Sequence, residues 1–170
     1  DDGNGNKYVD MVPKHKASLA IPEGVTTFKV YDDGGKSGSY MKGVNDTLVL
    51  TAPANHVLQV TGKINTGYAD YAYNSYTFEI TSYTCNSGDN LSIYDGSSTS
   101  ATALVSAKTG CTSSNGPSSS SLGRIVSRGN TVTLNFKSNS SGNASDGLDL
   151  TVKLIKLALE LADDGNGNYY

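Results

Sequence analysis

Leu148, Asp149, Leu150, Thr151, Val152, Lys153 and Leu154 alternate apolar and polar side chains without a break, the period of a strand with one face on a core and the other in water. A chain that repeats this pattern folds as sheets. The same period, or a short apolar run bounded by turn residues, recurs roughly every ten residues. The expected strands are Ala17 to Ile21, Thr26 to Tyr31, Thr47 to Thr51, Val57 to Ile64, Tyr76 to Thr81, Asn90 to Tyr94, Leu104 to Ser106, Gly123 to Val126, Thr131 to Phe136 and Leu148 to Leu154. Between them stand Asp32-Asp33-Gly34-Gly35, Ala52-Pro53-Ala54-Asn55, Asp95-Gly96 and Arg128-Gly129-Asn130, whose residues favour turns. Short strands at regular spacing predict an all-β sandwich. Past Leu154, Leu157-Ala158-Leu159-Glu160-Leu161 continues the alternation, with Ile155 read as a bulge. A helix over Val152 to Ala162, rich in Leu, Ala, Glu and Lys, is the competing assignment.

With 170 residues the chain suits one domain with a real core. Its 19 Gly, 11 Tyr, absent Trp and 17% charged residues give it an extracellular look, with small polar turns and half-buried tyrosines. The net charge is -3, and no basic cluster exceeds Lys14-His15-Lys16, which argues against nucleic acid as a partner. No apolar run reaches the roughly 18 residues of a membrane span. The first residue is Asp with no apolar leader behind it, as expected of a soluble piece of a longer or processed chain. Cys85 and Cys111, 26 apart, are the only cysteines. They are expected as one disulfide, worth about 3.5 kcal/mol by loop entropy, with two buried free thiols as the alternative. The polar stretch Thr112 to Ser121 is expected as a mobile loop.

The two ends of the chain match. Asp1-Asp2-Gly3-Asn4-Gly5-Asn6-Lys7-Tyr8 recurs as Asp163-Asp164-Gly165-Asn166-Gly167-Asn168-Tyr169-Tyr170, with seven of eight positions identical. One period of a tandem array, or a module flanked by close relatives, explains this most simply; a duplicated tag or linker is the alternative. In an array the Gly/Asn string is a hairpin turn between modules. It pairs Leu157 to Leu161 with the next module's counterpart of Tyr8 to Met11, and the two strings lie at opposite poles of each module. An EF-hand is set aside, because counting from Asp2 the twelfth position, where a bidentate Glu is needed, is Pro13. The expected division is 1–25 as an N-terminal linker and hairpin-strand region, 26–155 as the sandwich, and 156–170 as a C-terminal strand and inter-module turn.

Three blocks stand out in order along the chain. The first is Phe28-Lys29-Val30-Tyr31-Asp32-Asp33-Gly34-Gly35 with Leu48-Val49-Leu50-Thr51-Ala52-Pro53. The second runs from Cys85 and Asp89 through Leu91-Ser92-Ile93-Tyr94-Asp95-Gly96 to Gly110-Cys111. The third is Ile125 to Ser140 followed by Gly147-Leu148. Together these blocks resemble CUB domains, in the divergent form found in bacterial surface and secreted proteins; the resemblance covers about residues 26–155 and implies a jelly-roll β-sandwich, to which the terminal strands are extra. The earlier cysteine pair of many members is absent. Some CUB domains hold calcium through acidic residues on either side of the cysteine and the Asp of a "phe-x-ser-asp" motif, which here correspond to Glu79, Asp89 and Asn139. Asn139 removes one charge from that set, and alternation makes Glu79 a solvated strand residue. Turn-forming Asx residues are the alternative.

Tyr68, Tyr71, Tyr73, Tyr76 and Tyr83 are interleaved with Asp70 and Asn74. Rings beside amides and carboxylates suit sugars, and tyrosines that simply cover the sandwich or meet a neighbouring module are the alternative. Asn45, Asn90, Asn139 and Asn143 head glycosylation sequons, of which Asn90, at a strand start, is least suited. His15 and His56 make no metal pair, and no nucleophile or zinc motif is present. The expected function is therefore non-enzymatic and needs no cofactor beyond calcium: a secreted or cell-surface adhesion or fibre module, partnered by copies of itself or sister modules. A module binding polysaccharide or a surface protein, appended to a larger secreted protein, is the alternative.

Overall fold

The unbroken alternation of Leu148 to Leu154 becomes the middle of a central strand in the computed structural model, which describes residues 1–66, 69–85, 88–112, 116–117, 119–141 and 145–158. All regular structure among them is strand. In chain order the strands are β1 (Tyr8–Asp10), β2 (Lys16–Ala20), β3 (Thr27–Tyr31), β4 (Asn45–Thr51), β5 (His56–Asn65), β6 (Ala69–Tyr73), β7 (Ile80–Cys85) and β8 (Asn90–Asp95). Then follow β9 (Thr102–Lys108), β10 (Cys111–Thr112), β11 (Gly116–Pro117), β12 (Ser120–Ser121), β13 (Ile125–Val126), β14 (Thr131–Lys137) and β15 (Gly147–Lys156). One sheet runs β1-β3-β15-β5, with β12 and β13 both on the far side of β5; the other runs β2-β4-β14-β8-β9. The hairpin β6-β7 and the short pair β10-β11 lie outside both sheets.

A single core joins the two sheets. Leu148, Leu150, Val152 and Leu154 of β15 face it together with Leu58, Val60 and Ile64 of β5 and Val30 of β3, and from the other sheet come Leu48, Leu50, Leu91, Ile93, Leu134 and Phe136. Removing one such buried leucine to alanine costs about 2–5 kcal/mol, so this interior is the main source of stability. The outer face of β14 is polar yet covered. Thr133 Oγ1 donates to the Gly96 carbonyl at 2.7 Å, and the Asn135 amide donates to Asn45 Oδ1, the Asp46 carbonyl and Thr47 Oγ1. Gly62 sits where β15 crosses β5, with φ +132° and the Asp149 carbonyl 2.2 Å from where a Cβ would stand. Only glycine fits there.

The all-β sandwich agrees with the alternation in the sequence. Within residues 1–25, β1 pairs in parallel with β3 and β2 in parallel with β4, giving each sheet an edge strand. Three details differ from expectation. Ile155 is not a bulge, since β15 keeps unbroken register with β5 through Ile155 opposite Val57 to Lys156 opposite His56. Tyr76, Thr77 and Phe78 form a turn instead of the start of a strand. The stretch Thr112 to Ser121 contains the short strands β11 and β12. The poles also matter. β1 runs with β3 and β15 against it, so the chain enters β1 at the pole where β15 ends: Lys29 N–H donates to the Lys7 carbonyl, and Leu154 N–H to the Thr26 carbonyl. Opposite poles were expected for the two Gly/Asn strings; the second string lies outside the described residues.

Candidate functional site

At the other pole, the β3-β4 and β14-β15 loops meet the turn before β8, and carboxylates brace them. Asp89 is buried at 3% exposure, where Oδ1 accepts the Asn139 N–H at 2.6 Å and Oδ2 the Tyr40 hydroxyl at 2.7 Å. The Tyr40 ring packs edge-on against Phe136 at 5.0 Å, and burial followed by the Asp89 bond raises its hydroxyl above the ordinary range. Asp32 is fully buried. Its Oδ1 accepts the Gly34 N–H and its Oδ2 the Leu148 N–H at 2.6 Å. Burial pushes it up to about 6 despite those donors. Gly147, at φ +76°, leaves the room Asp32 occupies, since a Cβ would stand 1.9 Å from Oδ2.

Asp46 lies on β4 and is also fully buried. Burial pushes it up to about 6; the Lys14 N–H, which it accepts at 2.6 Å, and the charges of His15 and Lys14 pull the other way, while Asp33 adds to the rise. Its Oδ2 has no partner among the described residues. Neither Asp32 nor Asp46 stood out in the sequence, where both sat inside turn or sequon letters.

Of the calcium set, the structure brings Asp89 and Asn139 together and leaves Glu79 exposed beside the tip of the β6-β7 hairpin, at the far end of β7 from Cys85. One carboxylate and one amide fall well short of the six to eight oxygens that calcium takes. Among the described residues no three His, Cys, Asp or Glu side chains are grouped to hold a metal. These residues do not fit a calcium ion as they stand.

The β6-β7 hairpin presents aromatic side chains to solvent. Asn74 builds its tip: Oδ1 accepts the Tyr76 N–H at 2.8 Å and the Thr77 N–H at 3.2 Å, its carbonyl accepts Phe78 N–H, and its own N–H reaches the Glu79 carbonyl. Phe78 takes a left-handed φ of 57°, unusual for a bulky residue. Tyr76 is 92% exposed and Phe78 79%. Register puts Tyr71 opposite Tyr83 and Tyr73 opposite Ile80. Tyr68 and the side chains of Tyr71, Tyr73, Tyr83, Cys85 and Cys111 lie outside the described residues. No Lys or Arg occurs between Lys63 and Lys108.

A third feature is the outer edge of β1. Asp1 to Asn6 forms a tight turn: Asp2 N–H donates to the Asn6 carbonyl at 3.0 Å, closing a loop of Gly3, Asn4 and Gly5 with both glycines left-handed. Asp1 Oδ1 accepts from Gly3 and Gly5, and Asp2 Oδ1 from Asn4 and Asn6. The Tyr31 hydroxyl donates to Asp2 Oδ2, and Lys36 Nζ to the Asp2 carbonyl. Burial works to raise the Asp2 carboxyl, but these donors together hold it below the ordinary range. Between β1 and β2 lies an open apolar groove of about 170 Å³, whose walls include Val9, Leu19, Ile21, Val25 and Phe28.

The histidines each bond a nearby carbonyl, His15 that of Pro13 and His56 that of Ala54. Of the sequons, Asn45 has its side-chain oxygen held by Asn135, the Asn90 amide donates to the Gly88 carbonyl, Asn139 packs against Gly88, and Asn143 lies outside the described residues. No described helix is long and apolar enough to cross a membrane.

No family model matches the chain, and no curated protein matches it. Among solved structures, the full extracellular region of zebrafish Gpr126/Adgrg6 is similar at 14% identity and a TM-score of 0.47, over 83% of this chain and 15% of that one. The CUB1-EGF-CUB2 domains of rat MASP-1 are similar at 14% identity and a TM-score of 0.47, over 92% of this chain and 52% of that one. The chain spans about half of the second and a smaller part of the first.

Proposed function

We propose that the chain is a non-enzymatic, extracellular structural and adhesion module, one repeat of a tandem array. The observation that carries this is the Asp1 to Asn6 turn. It closes as a hairpin on the open side of an edge strand, and the same string recurs after Leu157 to Ala162. A hairpin turn at the head of a module implies a strand in front of it. Cys85 and Cys111 form one disulfide in this reading, as an oxidising compartment allows. The test is sedimentation of the whole chain against one lacking residues 157–170. The whole chain should self-associate as concentration rises, and the shortened one should stay folded and monomeric. A whole chain that remains monomeric at every concentration would sink the tandem reading, and two free thiols in a non-reduced peptide map would sink the extracellular one.

A second reading has its own support in the exposed Tyr76 and Phe78 at a turn fixed by Asn74. Rings held outward on a segment without cations suit a neutral polysaccharide, and such a module would serve a larger secreted protein as its binding part. In both readings Asp89 braces Tyr40 and Asn139.

A further inference from the structure

We infer that the open edge of β1 is the docking site for residues 157–162 of a preceding copy, added as an antiparallel strand in a single register. This rests on the tandem reading and gives it a geometry. Asp2 faces Asn6 across the turn, so the register of any strand leading into Asp1 is set: Ala162 of the preceding copy falls opposite Tyr8, Leu161 opposite Val9, Glu160 opposite Asp10 and Leu159 opposite Met11. The free side of β1 is ready for it. Lys7 turns its carbonyl to Lys29 of β3, so by alternation Tyr8 directs its N–H and C=O away from β3, toward the new strand.

The side chains agree with that register. Met11 is buried and Val9 packs against the core, whereas Tyr8 and Asp10 face outward. Leu161 therefore lands on the core face over the apolar groove that Val9 lines, Leu159 lands on the same face beside Met11, and Glu160 lands outside. A slip of one residue would turn Glu160 into the groove and both leucines into water, a penalty that leaves one register. Glu160 beside Asp10 is the one unfavourable neighbour, a like-charge pair at an exposed edge that costs a few tenths of a kcal/mol to about 1 kcal/mol.

The added strand also reconciles the poles. Without it the chain enters and leaves the sandwich at one end. With it, the chain comes in at the opposite pole, runs down beside β1, and turns at Asp1 to Asn6. Successive copies then stack head to tail through a strand that β15 of one copy shares with the β1 edge of the next.

A two-copy fusion, in which residue 168 of the first copy is followed directly by residue 7 of the second, tests this. Leu161 and Val9 form a non-hydrogen-bonded pair, whose close Cα atoms suit a disulfide. Leu161→Cys in the first copy with Val9→Cys in the second should crosslink in most molecules on mild oxidation, as read by peptide mapping. Glu160→Cys with Val9→Cys should crosslink at under a tenth of that yield. Equal yields, or no crosslink at the first pair, overturn the register. In the unsubstituted fusion, hydrogen exchange of the Tyr8 amide should be at least 100-fold slower in the second copy than in the first; equal rates overturn strand addition. The fusion supplies the second copy by design, so its failure counts against the strand and leaves the sedimentation test to judge the tandem reading.

Discussion

Asp46 shows what a single buried group does to stability. Its ordinary value is 3.8, and in the folded protein burial lifts it to about 6. Between those values the folded state holds a proton that the unfolded chain has released, so its stabilising contribution is full below about pH 4 and lost as pH rises through about 6. Asp32, lifted in the same direction, adds to the slope. The protein should therefore melt at a higher temperature at pH 5 than at pH 7.5. Asp46→Asn keeps an oxygen for the Lys14 N–H, removes the buried charge, and should raise the midpoint at pH 7 by roughly 2–5 °C while flattening the slope between pH 4 and 6. Calorimetry across that range decides it, and an unchanged slope would mean that water reaches Asp46. None of this was legible in the sequence, because a carboxylate inside Asn45-Asp46-Thr47 carries no sign that its strand turns it inward.

Strands were legible where alternation was clean. β4, β5, β14 and β15 stand within a residue or two of where their apolar positions place them, because inward Leu and Val at period two leave one way to lie on a core. The hairpin tip was not legible. Tyr76, Thr77 and Phe78 have strand-like composition, yet the Asn74 side chain takes the amides of Tyr76 and Thr77 and its carbonyl that of Phe78, so the chain turns there. The sequence singled out tyrosines and passed over Phe78, since nothing in a string of letters marks a left-handed phenylalanine. Its strain and exposure give a prediction at this scale. Phe78→Gly should slow hydrogen exchange in the hairpin, a gain of about 1 kcal/mol, because glycine takes positive φ without cost. If the tip binds neutral polysaccharide, the same change should weaken retention in affinity electrophoresis at least tenfold. Unchanged retention would remove the tip from the binding reading.

At the scale of the whole molecule, Tyr8 lies level with Lys29 and, through it, with Thr151. In the proposed array, Ala162 of a preceding copy would be level with Thr151, and Lys156 of that copy would fall just beyond Gly147 of the next. Eleven residues of extended strand separate equivalent points, an axial repeat of about 36 Å at the rise of a β-strand. That is close to the height of the sandwich along β15, so adjoining copies in such an array would touch with almost no linker. Fusions of several copies should show this spacing in solution scattering, and a repeat beyond about 50 Å would mean flexible linkers instead. The same arithmetic forbids a copy from satisfying its own edge. From Lys156 the six residues to Ala162 extend about 20 Å, too few to climb back to the far pole and descend beside β1. Donor and acceptor can meet only between different copies, through unlike surfaces. An open assembly made this way has a direction: one tip bears a vacant edge and the other an unspent strand, and growth stops where a cap of different sequence supplies the missing half or where the row closes on itself as a ring.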